Sequence, residues 1–445
     1  MDEEDISTTQ LSLLNKAKDY LNYRTLHHKQ MVIQDPSCYL NSWASGSLGY
    51  LRLQWLHKGL RELPNYLYQF LRSILNIGTC SEYKIMNLEN DAHPSYKYIV
   101  TSWCKEANFL RNGSFQCPYF NVNSKNTPDT LWFLLSLDNI CPKKLNKNIR
   151  IFINSHKNHY SIPFVLKNIW KWATRKIIPV PEAVYAQTLA SVFTSKILTS
   201  SIESIVMPYE AQPWQHTLNQ NIKSFDPTIR TLGYLHSSLP PLPTDYIKRE
   251  GEPDFLFVHG HGQKKILHEY LGWDTKNIHV IKSLRYQKTT LKTFSGKIFI
   301  PYDFSDDDFY IDLLEHFFKQ MDSDIPPLHV QNHPQQSHSE KHIVLIKNIE
   351  TLCAQYHSLF SKSSKRQVSI ILGSTTCVLE CLARDVEVIH ILTQPVYESY
   401  NHPLWKDLQI KKISNHIFSY QQEENDVYIV LGESNSNLQD ILVNG

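Results

Sequence analysis

Along this chain the spacing of apolar positions changes near residue 90. Before it, Leu51, Leu53, Leu56, Leu60, Leu63, Leu67 and Phe70 recur near helical spacing with Arg, Lys and Gln between them. That spacing predicts a helical preface over residues 1–90, packed on the first domain. Short β-branched and aromatic runs then take over: Tyr98-Ile99-Val100-Thr101-Ser102-Trp103, Leu131-Trp132-Phe133-Leu134-Leu135 and Ile149-Arg150-Ile151-Phe152-Ile153. A helical stretch over 181–198 leads into Ser204-Ile205-Val206-Met207-Pro208, and Thr231-Leu232-Gly233-Tyr234-Leu235 follows a further helix. Strands separated by helices predict a mostly parallel sheet.

The segment Ser237-Ser238-Leu239-Pro240-Pro241-Leu242-Pro243 interrupts the alternation. Its prolines exclude regular structure, so an interdomain linker is expected there. Strand patterns then resume at 255–258, 278–281, 297–300, 328–330, 368–372 and 386–391, with helices at 264–271 and 309–321. The expected fold is α/β, with two Rossmann-like domains (91–243 and 244–445) facing a cleft behind the helical preface. Ligands in such folds bind at strand C-termini, in the cleft.

A chain of 445 residues exceeds what one core usually supports, which agrees with two domains. Net charge is +2, too balanced to mark a nucleic-acid binder. The acidic start Met1-Asp2-Glu3-Glu4-Asp5 lacks the apolar core of a secretory signal, and no run of about 18 apolar residues occurs. The eight cysteines form no CxxC pair and read as reduced thiols. A cytoplasmic location is expected.

Three constellations carry candidate chemistry. Gly373-Ser374-Thr375-Thr376-Cys377 follows an apolar strand and opens a helix, where a tight turn, hydroxyls and free amides suit a phosphate. The same Ser374 or Thr375 would also serve as a plain helix cap. Glu380 lies about one and a half turns further on, within reach of a ribose diol. His333-Pro334 ends the strand at 328–330, where the histidine points into the cleft and can donate to a phosphate oxygen. Tyr209-Glu210-Ala211-Gln212-Pro213-Trp214 closes a strand of the first domain. A carboxylate hemmed by Tyr209 and Trp214 is expected to have a raised pKa suited to a general base.

Strand-His-Pro followed by strand-Gly-Ser-Thr-helix-Glu resembles the C-terminal domain of CMP-sugar transferases of the two-domain GT-B type. These include bacterial sialyltransferases and polysialyltransferases, and the Kdo transferases of capsule and lipopolysaccharide assembly. In those families both motifs contact the CMP. The resemblance implies donor contacts from His333, Pro334, Ser374 and Thr375, and by looser matching Thr376 and Glu380. The Glu210 segment is similar to the strand-end Glu neighbourhoods of surface-carbohydrate transferases. That similarity implies Glu210 as base, with Tyr209, Gln212 and Trp214 on the acceptor side.

Further candidates are His236 lining the cleft, Arg285 pairing with a carboxylate or phosphate, and the turn His259-Gly260-His261-Gly262 as a donor-phosphate loop. Asp306-Asp307-Asp308 reads as a helix start answering the dipole rather than a metal site. The basic aromatic stretch 164–176 fits either a half-buried helix or an anionic membrane at the inner face of the plasma membrane, where a lipid-linked acceptor would reside. The function expected is transfer of an acidic nonulosonate (Kdo, sialic or legionaminic class) from a CMP-sugar to a surface glycan or glycolipid. The CMP-sugar serves as co-substrate, with no cofactor, metal or nucleic acid. A UDP- or GDP-hexose transferase of the same fold is the alternative, and a non-catalytic carbohydrate-assembly protein is the second.

Overall fold

The computed structural model describes residues 3–28, 53–59, 71, 74–88, 96–174, 180–288, 294–302, 304, 307–321, 325–333, 336, 339–422, 427–433 and 437–444. Two sheets organise them. The first contains β1 (Thr79–Met86), β2 (Tyr98–Trp103), β5 (Thr130–Ser136), β6 (Ile149–Asn158), β7 (Ser204–Pro208), β8 (Arg230–Tyr234), β9 (Phe255–Val258) and β10 (Ile278–Val280). A two-stranded ribbon, β3 (Gln116–Cys117) with β4 (Val122–Asn123), lies between β2 and β5 in sequence. The spatial order is β1-β6-β5-β2-β7-β8-β9-β10, parallel throughout except that β1 runs antiparallel to β6.

The second sheet is β12 (His329–Gln331), β11 (Lys297–Phe299), β13 (Val368–Leu372), β14 (Glu387–Ile391), β16 (Ile417–Gln422) and β15 (Leu408–Lys412), in that order. Its first four strands are parallel, and β16 and β15 are antiparallel to their neighbours. The central strands β5, β7 and β13 are buried at every position, as expected for strands covered on both faces. The two-unit α/β architecture expected from the sequence is present.

The boundary differs from the expected one. β9 and β10 extend the first sheet, so the sheets divide the chain between 280 and 297 rather than at 243. The proline-rich segment is no exposed linker, because residues 231–247 are all buried. Prolines make this burial tolerable: they carry no N–H to leave unsatisfied. The carbonyl of Pro241 accepts from Trp405 Nε1 at 2.9 Å.

The helical preface also bonds to the second unit. Helix α1 (Glu3–His28) buries Ile6, Leu13, Leu14, Ala17, Tyr20 and Leu21 along one face. Its Gln10 side chain donates to the carbonyls of Val396 (3.1 Å) and Ser399 (2.8 Å), at the short helix Pro395–Glu398 of the second unit. Carbonyls at a helix end need such partners, and the buried face of α1 shares one core with Tyr209, Leu235 and Leu239 of the first unit and Tyr400 and Trp405 of the second. Leu53 and Leu56 join the same core. Leu51, Leu60, Leu63, Leu67 and Phe70 lie outside the described residues.

Beside this contact, Glu398 is 4% exposed and accepts from the Gln394 amide (2.9 Å) and the Thr393 hydroxyl. Burial pushes its carboxyl up to about 7 against those hydrogen bonds. The unfolded value is about 4.3, so ionisation in the fold costs stability progressively as pH rises above that value, fully above about 7. Glu398→Gln should therefore be more stable than the native chain near pH 8, by roughly 2–4 kcal/mol, with the advantage shrinking towards pH 5. Urea denaturation at the two pH values tests this; an advantage independent of pH would overturn it.

Candidate active site

Both sheets contain a point where the strand order reverses, and ligands of open α/β sheets bind outside the strand C-termini at such points. In the first sheet β5 and β6 lie on one side of β2 and β7 on the other, so the crevice opens between the loops after β2 and β7. Those loops carry Lys105 and Glu210. In the second sheet the reversal lies between β11 and β13, whose following loops carry Tyr302 and Gly373-Ser374-Thr375-Thr376.

The loop after β7 is held by its own side chains. Pro213 opens the helix Pro213–Phe225 with the fixed φ that suits a first helical turn. Gln215 accepts from the amides of Glu210 (3.0 Å) and Gln212 (3.1 Å) and donates to the Pro208 carbonyl at 2.6 Å. Ala211 takes a left-handed φ of 55°, a conformation that costs a residue with a Cβ about 1–2 kcal/mol. The result is a rigid bend that presents Glu210.

Glu210 meets His236, which follows β8, with Oε1 3.2 Å from the imidazole Nε2. Its Oε2 accepts from Gln212 Nε2 at 2.6 Å. Gln212 Oε1 in turn accepts from Trp214 Nε1 at 2.6 Å. Burial pushes the Glu210 carboxyl up, but His236, Arg285 and Gln212 together hold it below the ordinary carboxylate value. This corrects the expectation of a raised pKa: the aromatic neighbours desolvate, and the polar partners win. His236 is itself held below the usual imidazole value, first by burial and also by Arg285, with Glu210 opposing. Tyr119 packs edge-on against His236 at 4.5 Å between centroids.

Tyr209 and Trp214 do not face an acceptor. Tyr209 is fully buried, its hydroxyl 2.7 Å from His216 Nε2, and Trp214 is edge-on to Trp103 in the core. Their acceptor-side role is corrected to support of the bend. After β8, His236 Nδ1, Ser237 Oγ and Ser238 Oγ are buried and make no hydrogen bond among the described residues.

In the second unit, His333 is half-buried and edge-on to Tyr302 at 5.2 Å. Burial lowers its pKa, with His342, Arg285 and Lys105 adding to the effect. Pro334 and Asp306 lie outside the described residues. Gly373 has φ of 61°, and its carbonyl accepts from the buried His390 Nε2 at 2.7 Å. The Thr375 hydroxyl accepts from the Cys377 amide at 3.3 Å, just ahead of the helix Cys377–Leu382, whose N-cap Thr376 makes no side-chain cap bond. Ser374 and Thr376, both half-buried, make no hydrogen bond to the described residues through their hydroxyls. Glu380 pairs with Arg384 at 3.7 Å. Asp307 and Asp308 occupy the first turn of the helix Asp307–Gln320, as expected.

Arg285, exposed after β10 with its guanidinium 5.3 Å from the Tyr286 ring centroid, is where the two halves meet. Its charge acts on Glu210, His236 and Tyr119 of the first unit and on His333 of the second. Lys105 and Tyr119 were not candidates from sequence. Lys105 follows a strand that only the topology reveals as central, and Tyr119 sits in the loop between β3 and β4.

The turn with Gly260 and Gly262 is not a phosphate loop. It belongs to the first sheet, and a Cβ on Gly260 would overlap the Val427 carbonyl, one on Gly262 the Tyr428 ring. The Gly262 amide donates to Val427 O at 2.9 Å. These glycines admit a close chain crossing, and their donor-binding role is corrected.

No family model and no curated protein sequence matches the chain. Among solved structures it is similar to the wall teichoic acid polymerase TagF. In an H444N form soaked with CDPG, identity is 11% over 76% of this chain and 78% of that one, with a TM-score of 0.31. A second TagF structure gives 11% over 73% of this chain and 78% of that one, with a TM-score of 0.28. A likeness this distant says nothing about substrate.

The Gly373 turn admits a direct test. A Cβ there would adopt a left-handed φ and lie 2.5 Å from the Tyr310 hydroxyl. Gly373→Ala should lower unfolding stability by roughly 1–3 kcal/mol, measured by chemical denaturation. An unchanged midpoint would mean the turn relaxes and is not held in this conformation.

Proposed function

We propose that this chain is a glycosyltransferase that moves an acidic nonulosonate sugar from a CMP-sugar to a surface-glycan acceptor. The observation that carries this reading is the meeting of the two strand-reversal loops. A carboxylate–imidazole pair stands on one side, and a histidine, two uncommitted hydroxyls and an arginine stand on the other. That is the division of labour such a transfer requires.

In the proposed step an acceptor hydroxyl attacks the anomeric carbon, the carbon–oxygen bond to the phosphate breaks, and CMP departs with the bonding electrons. The hydroxyl proton passes to the His236–Glu210 pair. His236 is neutral near pH 7 because burial lowers its pKa, and the Glu210 charge stabilises the imidazolium once formed. Glu210 alone, with a lowered pKa, would be a weak base; the pair acts as one unit. His333, Arg285 and the hydroxyls of Ser374 and Thr376 receive the phosphate charge. Arg285 also suits the carboxylate of the sugar, which it can grip bidentately.

Two measurements test the reading. CMP should raise the melting temperature more than UDP or GDP, since a ligand that binds only the native state stabilises it. A shift with UDP and none with CMP would move the donor to a hexose nucleotide. For the chemistry, Glu210→Gln and His236→Asn should each keep CMP affinity while turnover falls roughly 10²–10⁴-fold. The double variant should fall no further than the worse single one, as for residues acting together. Multiplicative losses would separate the two residues, and wild-type turnover in Glu210→Gln would remove the mechanism.

A further inference from the structure

The helix Ile162–Ala173 turns its apolar stripe to solvent. Ile162, Leu166, Ile169, Trp170 and Ala173 share one helical face, and Ile162 is 74%, Leu166 59% and Trp170 66% exposed. The polar Asn168 is turned inward instead, donating to the Ile77 carbonyl at 2.7 Å. Tyr160, just before the helix, is 67% exposed. This is the reverse of a helix that folds onto its own core, and it leaves a contiguous apolar face without cover among the described residues.

The charge around the stripe says what covers it. Between Asn154 and Pro181, from the end of β6 through the helix, the sequence has five Lys and Arg and no Asp or Glu. Lys167 is exposed on the helix itself, and Arg175 and Lys176, beyond the described residues, follow it in sequence. Across the β1–β6 pair the acidic Glu82 is matched by Lys157 at 2.5 Å. No described helix is long and apolar enough to cross a membrane.

We propose that this face docks on the surface of an anionic phospholipid bilayer. The helix lies in the headgroup plane, Leu166 and Trp170 enter the acyl boundary, and the lysines meet the phosphates. An exposed tryptophan beside aliphatic side chains and flanked by cations suits that boundary, where one side of the ring is apolar and the other wet. The helix follows the C-terminal end of β6, the same end of the parallel strands that bears Lys105 and Glu210. Docking therefore brings the cleft side of the first unit to the bilayer. The inference stands on this surface and does not depend on the transferase reading.

Co-sedimentation of the full chain with phosphatidylcholine vesicles, with and without phosphatidylglycerol, tests it. The expected result is binding that requires phosphatidylglycerol and weakens with salt. Leu166→Glu with Trp170→Glu should reduce binding roughly tenfold or more while the melting temperature stays unchanged. Absence of sedimentation, or equal binding to neutral vesicles, would overturn the proposal. A lowered melting temperature in the double variant would show the stripe packed against the chain itself. A native dimer, seen by light scattering and dissolved by the same variant, would make it a protein interface. Either outcome also overturns the proposal.

Discussion

The chain passes between the two sheets twice, side by side, and the geometry of the cleft depends on that crossing. Residues 283–288 leave the first sheet while residues 427–432 return to it. They are laced together by Ser283 N to Val430 O (2.9 Å), Gly432 N to Tyr286 O (2.8 Å) and Lys288 N to Gly432 O (2.9 Å). The returning segment also bonds the turn after β9, with Val430 N donating to His259 O at 2.8 Å. Three glycines make this possible. A Cβ on Gly432 would overlap the Ser283 carbonyl, and Gly260 and Gly262 meet residues 427 and 428 in the same way. The return then continues to a helix, Gln439–Asn444, whose Ile441 and Leu442 are buried with Val206 and Leu232 of the first sheet.

Arg285 lies inside the outgoing segment, between Ser283 and Tyr286, both of which are tied by hydrogen bonds. The crossing therefore places a fixed positive charge between the two sets of strand C-termini. Its effects on the surrounding groups differ in kind. It helps keep Glu210 ionised, and it helps keep His236 and His333 neutral. A cleft containing an ionised carboxylate, neutral imidazoles and a permanent cation is prepared for a proton to move one way and an anion to settle the other.

What the sequence revealed follows from how each element is buried. Strands covered on both faces read as continuous apolar runs, so β2 and β13 were found at their observed boundaries and β7 likewise. Of the strands that escaped, β1 with Thr79-Cys80-Ser81-Glu82 and β15 with Leu408-Gln409-Ile410-Lys411-Lys412 are sheet edges whose exposed positions admit polar residues, while β16 lies inside its sheet and escaped as well. The proline-rich segment misled because prolines usually mark exposed turns, yet a chain without amide donors is easily buried. The glycines at 260 and 262 misled for a related reason. A glycine signals close approach, but not whether ligand or backbone approaches. At the site, Glu210, His236, Arg285 and His333 were legible as strand-end residues. Their convergence was not, because it depends on strand order. The depressed pKa of Glu210 depends on residues 26 and 75 positions away in sequence, counted from 210 to 236 and 285.

Glu210 is best understood beside two other glutamates. Burial pushes the carboxyls of Glu210, Glu252 and Glu398 all in the same direction, upward. Glu252 and Glu398 find backbone amides and a hydroxyl, which do not offset the loss of water, and both end above the ordinary carboxylate value. Glu252 also has the charges of Arg249 and Lys248 in range, which do not outweigh its burial; Glu210 alone of the three has an imidazole in contact, and it alone ends below. Removing a charge from water is costly unless it is paired, so a charge retained in a desolvated place reflects partners that several elements must supply together. Here they come from the ends of β7 and β8 and from the crossing after β10. Had the carboxyl served packing alone, the neutral form available to Glu398 would have met the same steric need. The fold instead sets an imidazole, a guanidinium and an amide donor about Glu210, at the strand reversal of the first sheet, and that assembly is the physical reason to look for chemistry there.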